Sequence, residues 1–263
     1  MENRYGDIEV TRLENYVVTC EIKRGPNNFF DQHLIGDMAD CFNDIDNDVD
    51  ARAIVLCSEG KHFCAGANFA SSSRDSDVQT RTADGPNPLY TEAVRLFRCK
   101  TPIVAAVQGA AVGGGFGLAV MADFRVVCPD TRMTANFVKL GFTPGFGLTH
   151  TLPRIIGVQK ANLLFLTGRR INGTTAYDWG LGDILVETSE VRAKAIELAS
   201  EIAINAPLAV TEVREQVRPG LADAVQAATD IEGKAQFHLQ RTADHKEGVK
   251  APTSNACVVT FKR

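Results

Sequence analysis

The chain has 263 residues, 44% of them apolar and 23% charged, which excludes disordered and fibrous classes and allows one large domain or a domain with an appendage. Its 28 basic and 32 acidic side chains leave a net charge of −4, so no basic field is present to hold a nucleic-acid backbone. Seven scattered cysteines form no dense disulfide framework and no basic-then-apolar leader opens the chain, so a soluble protein of the reducing cytoplasm is expected.

In chain order, residues 16–23 alternate Val18, Cys20 and Ile22 against Val17, Thr19 and Glu21, which predicts a half-buried strand. Residues 25–28 (Gly-Pro-Asn-Asn) break it. Leu34, Met38, Cys41, Phe42 and Ile45 then recur at helical spacing, and residues 53–57 form a short apolar strand. Residues 68–88 are rich in Ser, Asp, Gly and Pro without periodicity and read as a long mobile loop. A helix over 90–98 places Ala93, Leu96 and Phe97 on one face, Thr101-Pro102 stops it, and 103–107 is the next buried strand. Residues 109–117 are a glycine-rich turn leading into an apolar helix over 118–122; Gln108 and the glycines break this stretch too often for a membrane span.

A strand at 124–128, a helix near 159–167 and a strand near 184–186 continue the alternation, which predicts an α/β core over residues 1–190. From 191 to 263 the pattern turns helical, with Ala195, Leu198, Ala199 and Ile202 in one stripe and further segments over 208–216 and 221–239.

Several chemistries are missing. No Gly-x-x-x-x-Gly-Lys-Ser/Thr or Gly-x-Gly-x-x-Gly loop is present, nor a Gly-x-Ser-x-Gly elbow or a Cys-x-x-Cys pair, and the five histidines are too dispersed for a metal site. What remains is two glycine-bearing turns, residues 60–67 and 108–117, each following a strand. Each lets bare backbone N–H groups approach a ligand, and the second opens a helix whose partial positive end favours developing negative charge. Together they suit an oxyanion hole; glycines in such turns also serve close helix packing, and both readings stand at this level.

The string Arg52-Ala-Ile-Val-Leu-Cys-Ser-Glu-Gly-Lys-His-Phe-Cys-Ala-Gly-Ala-Asn68, followed by Pro102-Ile-Val-Ala-Ala-Val-Gln-Gly-Ala-Ala-Val-Gly-Gly-Gly-Phe-Gly-Leu118, resembles the enoyl-CoA hydratase/isomerase (crotonase) superfamily. Further ordered echoes, among them Leu140-Gly-Phe-Thr-Pro-Gly145 and Leu152-Pro-Arg-Ile-Ile-Gly157, extend the resemblance over roughly residues 8–250. It implies a crotonase-like spiral of ββα units with a C-terminal helical trimerisation region, assembled as a homotrimer or a dimer of trimers (a hexamer), acting on an acyl-CoA thioester. Coenzyme A enters as part of the substrate, and no permanently bound cofactor or metal is implied. The backbone N–H groups of Ala67 and Gly114 match the family's oxyanion hole, which stabilises an enolate or tetrahedral intermediate. By the same resemblance, the turn of Cys64, Ala65, Ala67, Asn68 and Phe69 holds the adenine and pantetheine end, and Lys23, Arg24, Lys262 and Arg263 are candidates for the CoA phosphates.

Family hydratases carry one catalytic glutamate in the helix after the triple glycine and another four residues before the first glycine of the Leu140-Gly-Phe-Thr-Pro-Gly145 loop motif; Gly117 and Phe137 stand there in this chain. Neither moves a proton, which argues against the ordinary hydratase mechanism. Tyr90 and Glu92, in the helix after the long loop, are the replacement candidates as acid/base or orienting groups, and they equally suit the polar positions of an amphipathic helix. Asn68 and Asn136 are neutral hydrogen-bonding candidates, Cys64 reads as a small packing residue for lack of a base, and Phe116, Phe137, Phe142 and Phe146 suggest an apolar acyl pocket or ordinary core. Isomerisation, C–C cleavage, decarboxylation and thioester hydrolysis all remain open. So do a hydratase with relocated acids and a non-catalytic acyl-CoA binder. The tail after residue 251 departs from the family, and Pro252 is expected to interrupt a helix there.

Overall fold

The computed structural model describes residues 1–68 and 85–250. Among these the strands are β1 (Arg4–Tyr5), β2 (Ile8–Arg12), β3 (Val17–Ile22), β4 (Ala53–Ser58), β5 (Ile103–Val107), β6 (Ala110–Val112), β7 (Phe124–Val127), β8 (Arg132–Thr134), β9 (Arg170–Asn172) and β10 (Ile184–Leu185). The helices are α1 (Gln32–Asp46), α2 (Pro88–Phe97), α3 (Gly114–Met121), α4 (Leu148–Ile156), α5 (Val158–Thr167), α6 (Gly173–Asp178), α7 (Val191–Ala203), α8 (Pro207–Val217), α9 (Leu221–Leu239) and α10 (Ala243–Lys250). Short 3₁₀ turns lie at Asn136–Leu140 and Thr188–Glu190.

Seven strands form one sheet in the order β1-β2-β3-β4-β5-β7-β10, antiparallel up to β3 and parallel beyond it. The other three, β6-β8-β9, make a small separate sheet. The strand expected to be half-buried is covered on both faces. Val18, Cys20 and Ile22 enter the main core with α1, while Val17 enters a second core with Ala53, Val55, Cys57, Val104 and Ala106. That second face is sealed by Val191, Ala195, Ala199 and Ala203 of α7, a small-residue stripe that lets the helix lie close to the sheet. A strand's partner from residues far along the chain is invisible to its own alternation.

Local chemistry fixes the helix starts. Asp31 caps α1 by accepting from the Leu34 N–H at 2.9 Å, and Asn87 caps α2 from the Leu89 N–H at 3.2 Å, with Pro88 as the first helical residue. The helix expected over 118–122 begins four residues earlier, at Gly114, and its eight residues are all buried. Residues 110–112, expected as turn, are strand β6. At the other end of α3, Asp123 accepts from the Ile103 N–H at 2.8 Å and receives Arg214 at 2.9 Å and Arg218 at 2.5 Å, which ties α8 to the sheet. No described helix is long and apolar enough to cross a membrane.

Candidate active site

The first glycine turn is built by hydrogen bonds from one buried side chain. Asn28 is fully buried in the left-handed backbone region at φ 49°, a conformation its short amide tolerates better than most side chains. Its Nδ2 donates to the carbonyls of Glu59 at 2.9 Å and His62 at 2.7 Å, and its Oδ1 accepts from the Arg24 N–H at 3.1 Å. The loop of residues 24–28 is thereby fixed to the turn that follows β4. Nothing in the local pattern of the sequence announces this role; only a buried Asn at positive φ would have.

From that anchor the chain runs beside the second turn. Cys64 makes a parallel bridge with Ala111, donating to the Ala110 carbonyl at 2.9 Å and accepting from the Val112 N–H at 3.0 Å. Three residues further along each partner are Ala67 and Gly114, so the two stand at the same rank on neighbouring segments. Ala67 is bridged in parallel to Phe30, whose N–H donates to the Gly66 carbonyl at 3.0 Å, and that pairing turns the N–H of Ala67 itself away from Phe30. Gly114 is the first residue of α3, preceded by Gly113, which has no side chain to cap the helix. Neither the Ala67 nor the Gly114 N–H has a hydrogen-bond partner among the described residues.

The glycines here are required by proximity. A Cβ at Gly114 would overlap the ring edge of Phe30, one at Gly115 would fall on the Cys64 carbonyl, and one at Gly66 would come 2.7 Å from the Val112 carbonyl. Cys64 is fully buried, and desolvation pushes its thiol up to about 12 against the smaller opposing pull of the Gly66 and Phe30 amides. At that value it is a packing residue facing Gly115, not a nucleophile.

The candidate acid/base residues separate. Successive positions two apart on a helix point about 200° apart, so Tyr90 and Glu92 face different neighbours. Glu92 lies against Gly36 of α1 and accepts from Arg95 at 2.6 Å, and Arg95 also binds Asp40. Tyr90 is buried, its hydroxyl donating to Gln236 Oε1 at 2.7 Å. Gln236 in turn donates to the carbonyls of Thr143 at 2.9 Å and Pro144 at 3.2 Å, and a Cβ at Gly145 would overlap the Tyr90 hydroxyl. The structure therefore brings Tyr90 to the Pro-Gly loop and engages Glu92 in an ion pair toward α1.

One turn earlier on α9, Glu232 accepts from the Gly147 N–H at 2.8 Å and from the Thr149 N–H and hydroxyl at 3.0 and 2.6 Å. Burial raises its pKa against those three donors. It caps α4 in place of a local N-cap side chain, since Gly147 occupies that position.

Gly117 and Phe137, which the resemblance aligns with the glutamates of family hydratases, are both surrounded by aromatic side chains. A Cβ at Gly117 would lie 2.7 Å from that of Phe146, which is itself at φ 63° and contacts Phe30 and Phe97 with ring centroids 6.0 and 6.5 Å away. Phe137 stands edge-on to Phe142 at 5.6 Å, and Phe142 to His245 at 5.3 Å. Asn136 and Phe137 flank Gly113, within 3.5 and 3.8 Å of its Cβ position. Phe116, by contrast, is wholly core.

Of the phosphate candidates, Arg24 binds Asp7 at 2.8 Å and Asp31 at 2.9 Å, and Lys23 binds Glu21 at 3.1 Å, so both cations are already compensated. Ala65 donates its N–H to the Asn27 carbonyl at 3.0 Å, and Asn68 ends the turn. Phe69, Lys262 and Arg263, most of the 68–88 loop, and Pro252 lie outside the described residues. No cluster of metal-ligating side chains occurs among the described residues.

The sheet order, the paired glycine turns and the buried helix start define a class. A family model described as enoyl-CoA hydratase/isomerase matches residues 12–253, and the chain belongs to that family of enzymes and has its crotonase fold. Among its relatives, the "Probable enoyl-CoA hydratase" of Bacillus subtilis (strain 168) is 29% identical over 91% of this chain and 93% of its own length. The bacillaene synthase decarboxylase PksI of the same organism is 28% identical over 91% of this chain and 94% of its own length. The crystal structure of an enoyl-CoA hydratase/isomerase from Pseudoalteromonas atlantica T6c superposes with a TM-score of 0.81 at 27% identity, covering 92% of this chain and 95% of that one.

Proposed function

We propose that this chain binds an acyl-CoA thioester, polarises its carbonyl through the N–H groups of Ala67 and Gly114, and stabilises an enolate without a carboxylate base. The observation that carries the reading is the uncapped, buried start of α3 at Gly114, three residues beyond the Cys64–Ala111 bridge that joins its segment to the one carrying Ala67. Two fixed donors aimed at a developing oxyanion contribute on the order of 3 kcal/mol each, because they need no reorganisation as charge appears.

The reaction follows from what surrounds the donors. With Gly117 and Phe137 at the family's glutamate positions, no carboxylate there abstracts an α-proton or activates water. An enolate forms without a base when the acyl group carries a carboxylate whose loss leaves the electron pair conjugated with the thioester. The C–C bond to that carboxylate breaks, CO₂ leaves, its bonding pair becomes the enolate, and a proton then adds to carbon. Aromatic surroundings favour that step, because a poorly solvated carboxylate gains by becoming neutral CO₂. The decarboxylase name of one relative supports the same choice. Tyr90 is the group we place at the proton-delivery or orienting position, held by Gln236. Coenzyme A is part of the substrate, and no resident cofactor or metal takes part. We also assign the chain to a homotrimer or a dimer of trimers.

The loss of both glutamates also favours a second reading, an acyl-CoA binder without turnover. A panel of saturated, 2-enoyl, 3-enoyl, β-keto, malonyl-type and aromatic acyl-CoAs, read by mass spectrometry beside binding controls, separates the two. Loss of CO₂ from a carboxylated acyl-CoA supports decarboxylation, water addition to an enoyl-CoA supports a hydratase, and tight binding with no product supports the binder. Tyr90→Phe is expected to lower turnover about tenfold or more while acyl-CoA binding changes less than twofold, within the range of general acid/base contributions; equal turnover removes Tyr90 from the reaction.

A further inference from the structure

We infer that Phe30 is a positioning residue that sets the two oxyanion donors against each other; the inference rests on the reading that Ala67 and Gly114 are those donors. Three observations converge on this one side chain. Its backbone pairs with the first donor segment, in parallel with Ala67 and through an N–H bond to Gly66 at 3.0 Å. Its ring occupies the space that a side chain at Gly114 would take, so it rests on the second donor residue. The same ring packs against Phe146, centroid to centroid at 6.0 Å, and Phe146 in turn packs against Gly117 on the next turn of α3.

Phe30 thus touches both donor segments, one through its main chain and the other through its ring. It is itself held from behind. Asn28 pins residues 24–28 to the turn at 59–62, Arg24 donates to the Phe29 carbonyl at 3.3 Å, and Asp31 caps α1 while bound to Arg24. The ion pairs of Arg24 therefore secure the segment that carries Phe30.

The physical role is preorganisation. Donors confer full stabilisation only if their positions are set before charge develops, and a void beside Gly114 would let the start of α3 relax. Truncating Phe30 should therefore weaken stabilisation of the enolate more than binding of the ground state. A structural role alone would lower thermal stability and all ligand affinities together.

The test uses acetoacetyl-CoA, whose β-keto thioester ionises to an enolate with its own near-ultraviolet band, against a saturated acyl-CoA as the binding control. The wild-type chain is expected to bind both and to show the enolate band at a pH where free acetoacetyl-CoA lacks it. Phe30→Ala is expected to lose at least tenfold in enolate fraction with less than threefold change in saturated acyl-CoA affinity, and Phe30→Leu to restore most of the band. Because the ring and a methyl at residue 114 compete for one space, Gly114→Ala in the Phe30→Ala background should cost less than Gly114→Ala alone, a coupling that a double-mutant cycle measures. An unchanged band in Phe30→Ala, or a band lost in step with the control affinity in both Phe30 variants, overturns the inference and leaves the donor assignment standing. A wild-type chain that binds acetoacetyl-CoA without the band overturns the donor assignment itself.

Discussion

The two turns that present Ala67 and Gly114 are fixed by opposite means. The first, residues 59–67, is held by side-chain hydrogen bonds from Asn28, a polar group with no exposed surface. The second, residues 109–117, is held by the absence of side chains, since its glycines let one backbone lie directly on another or on the Phe30 ring. One half of the site therefore fails when a group is removed, and the other when a group is added. Both ways of building reach the same end, a backbone N–H with no competing partner among the described residues.

The largest effect is expected from adding a methyl group to the second turn. Gly115→Ala puts a Cβ onto the Cys64 carbonyl and beside its Sγ, and because the nearest obstacle is backbone, relief requires moving α3 away from the first turn. Turnover should fall about a hundredfold or more, the scale of a lost oxyanion donor. Steady-state kinetics on the substrate found in the acyl-CoA panel checks this, and near-normal turnover would show that the turns need not touch.

Removing a group from the first turn comes next. Asn28→Ala leaves the Glu59 and His62 carbonyls without their donor and places a Cβ residue without a helpful amide at positive φ, for a loss of about 3 kcal/mol in unfolding free energy. Asn28→Gly keeps the backbone conformation and loses only the hydrogen bonds, so it should be the less damaging of the two in denaturant titration. Equal losses would mean that the backbone conformation contributes little.

A smaller effect is expected at Glu232, which belongs to neither turn but holds the Pro-Gly loop beside them. Glu232→Gln presents an N–H₂ group to one of three donors and should cost about 1–2 kcal/mol. The native pKa of Glu232 is raised, so its protonated form is favoured in the fold. Its contribution is fullest below the ordinary carboxylate range and declines as pH rises through the raised native value. The Gln variant should lack that decline when unfolding is followed across acid to neutral pH.

The smallest effect concerns Cys64, where the two turns meet. With its thiol pushed up to about 12 and no exposed surface, it should resist iodoacetamide at mildly alkaline pH until the chain is unfolded. Labelling of the native chain at Cys64, read by peptide mass spectrometry, would show that the junction opens.

The alternation of strands and helices was legible because burial imposes a period on neighbouring residues: strand β5 over Ile103–Val107 and helix α9 over Leu221–Leu239 fall where their patterns place them. The start of α3 was not legible, since Gly114, Gly115 and Gly117 are poor helix formers and the helix is set by packing on all sides. The candidate donors were visible through motif resemblance, but the groups that hold them were not. Asn28 acts across more than thirty residues, and Gln236 and Glu232 reach loop 143–149 from more than eighty residues away. Tyr90 and Glu92 looked equivalent in the sequence; helical geometry and the Arg95 ion pair distinguish them.

The most direct test of the central claim is to offer a malonyl-type acyl-CoA to the enzyme in deuterium oxide and follow the product by mass spectrometry. A thioester enolate formed without a base predicts loss of one CO₂ and gain of one solvent deuteron at the α-carbon, with Gly115→Ala abolishing both. Carboxylated acyl-CoAs returned unchanged, while an enoyl-CoA gains water at an ordinary hydratase rate, would contradict it.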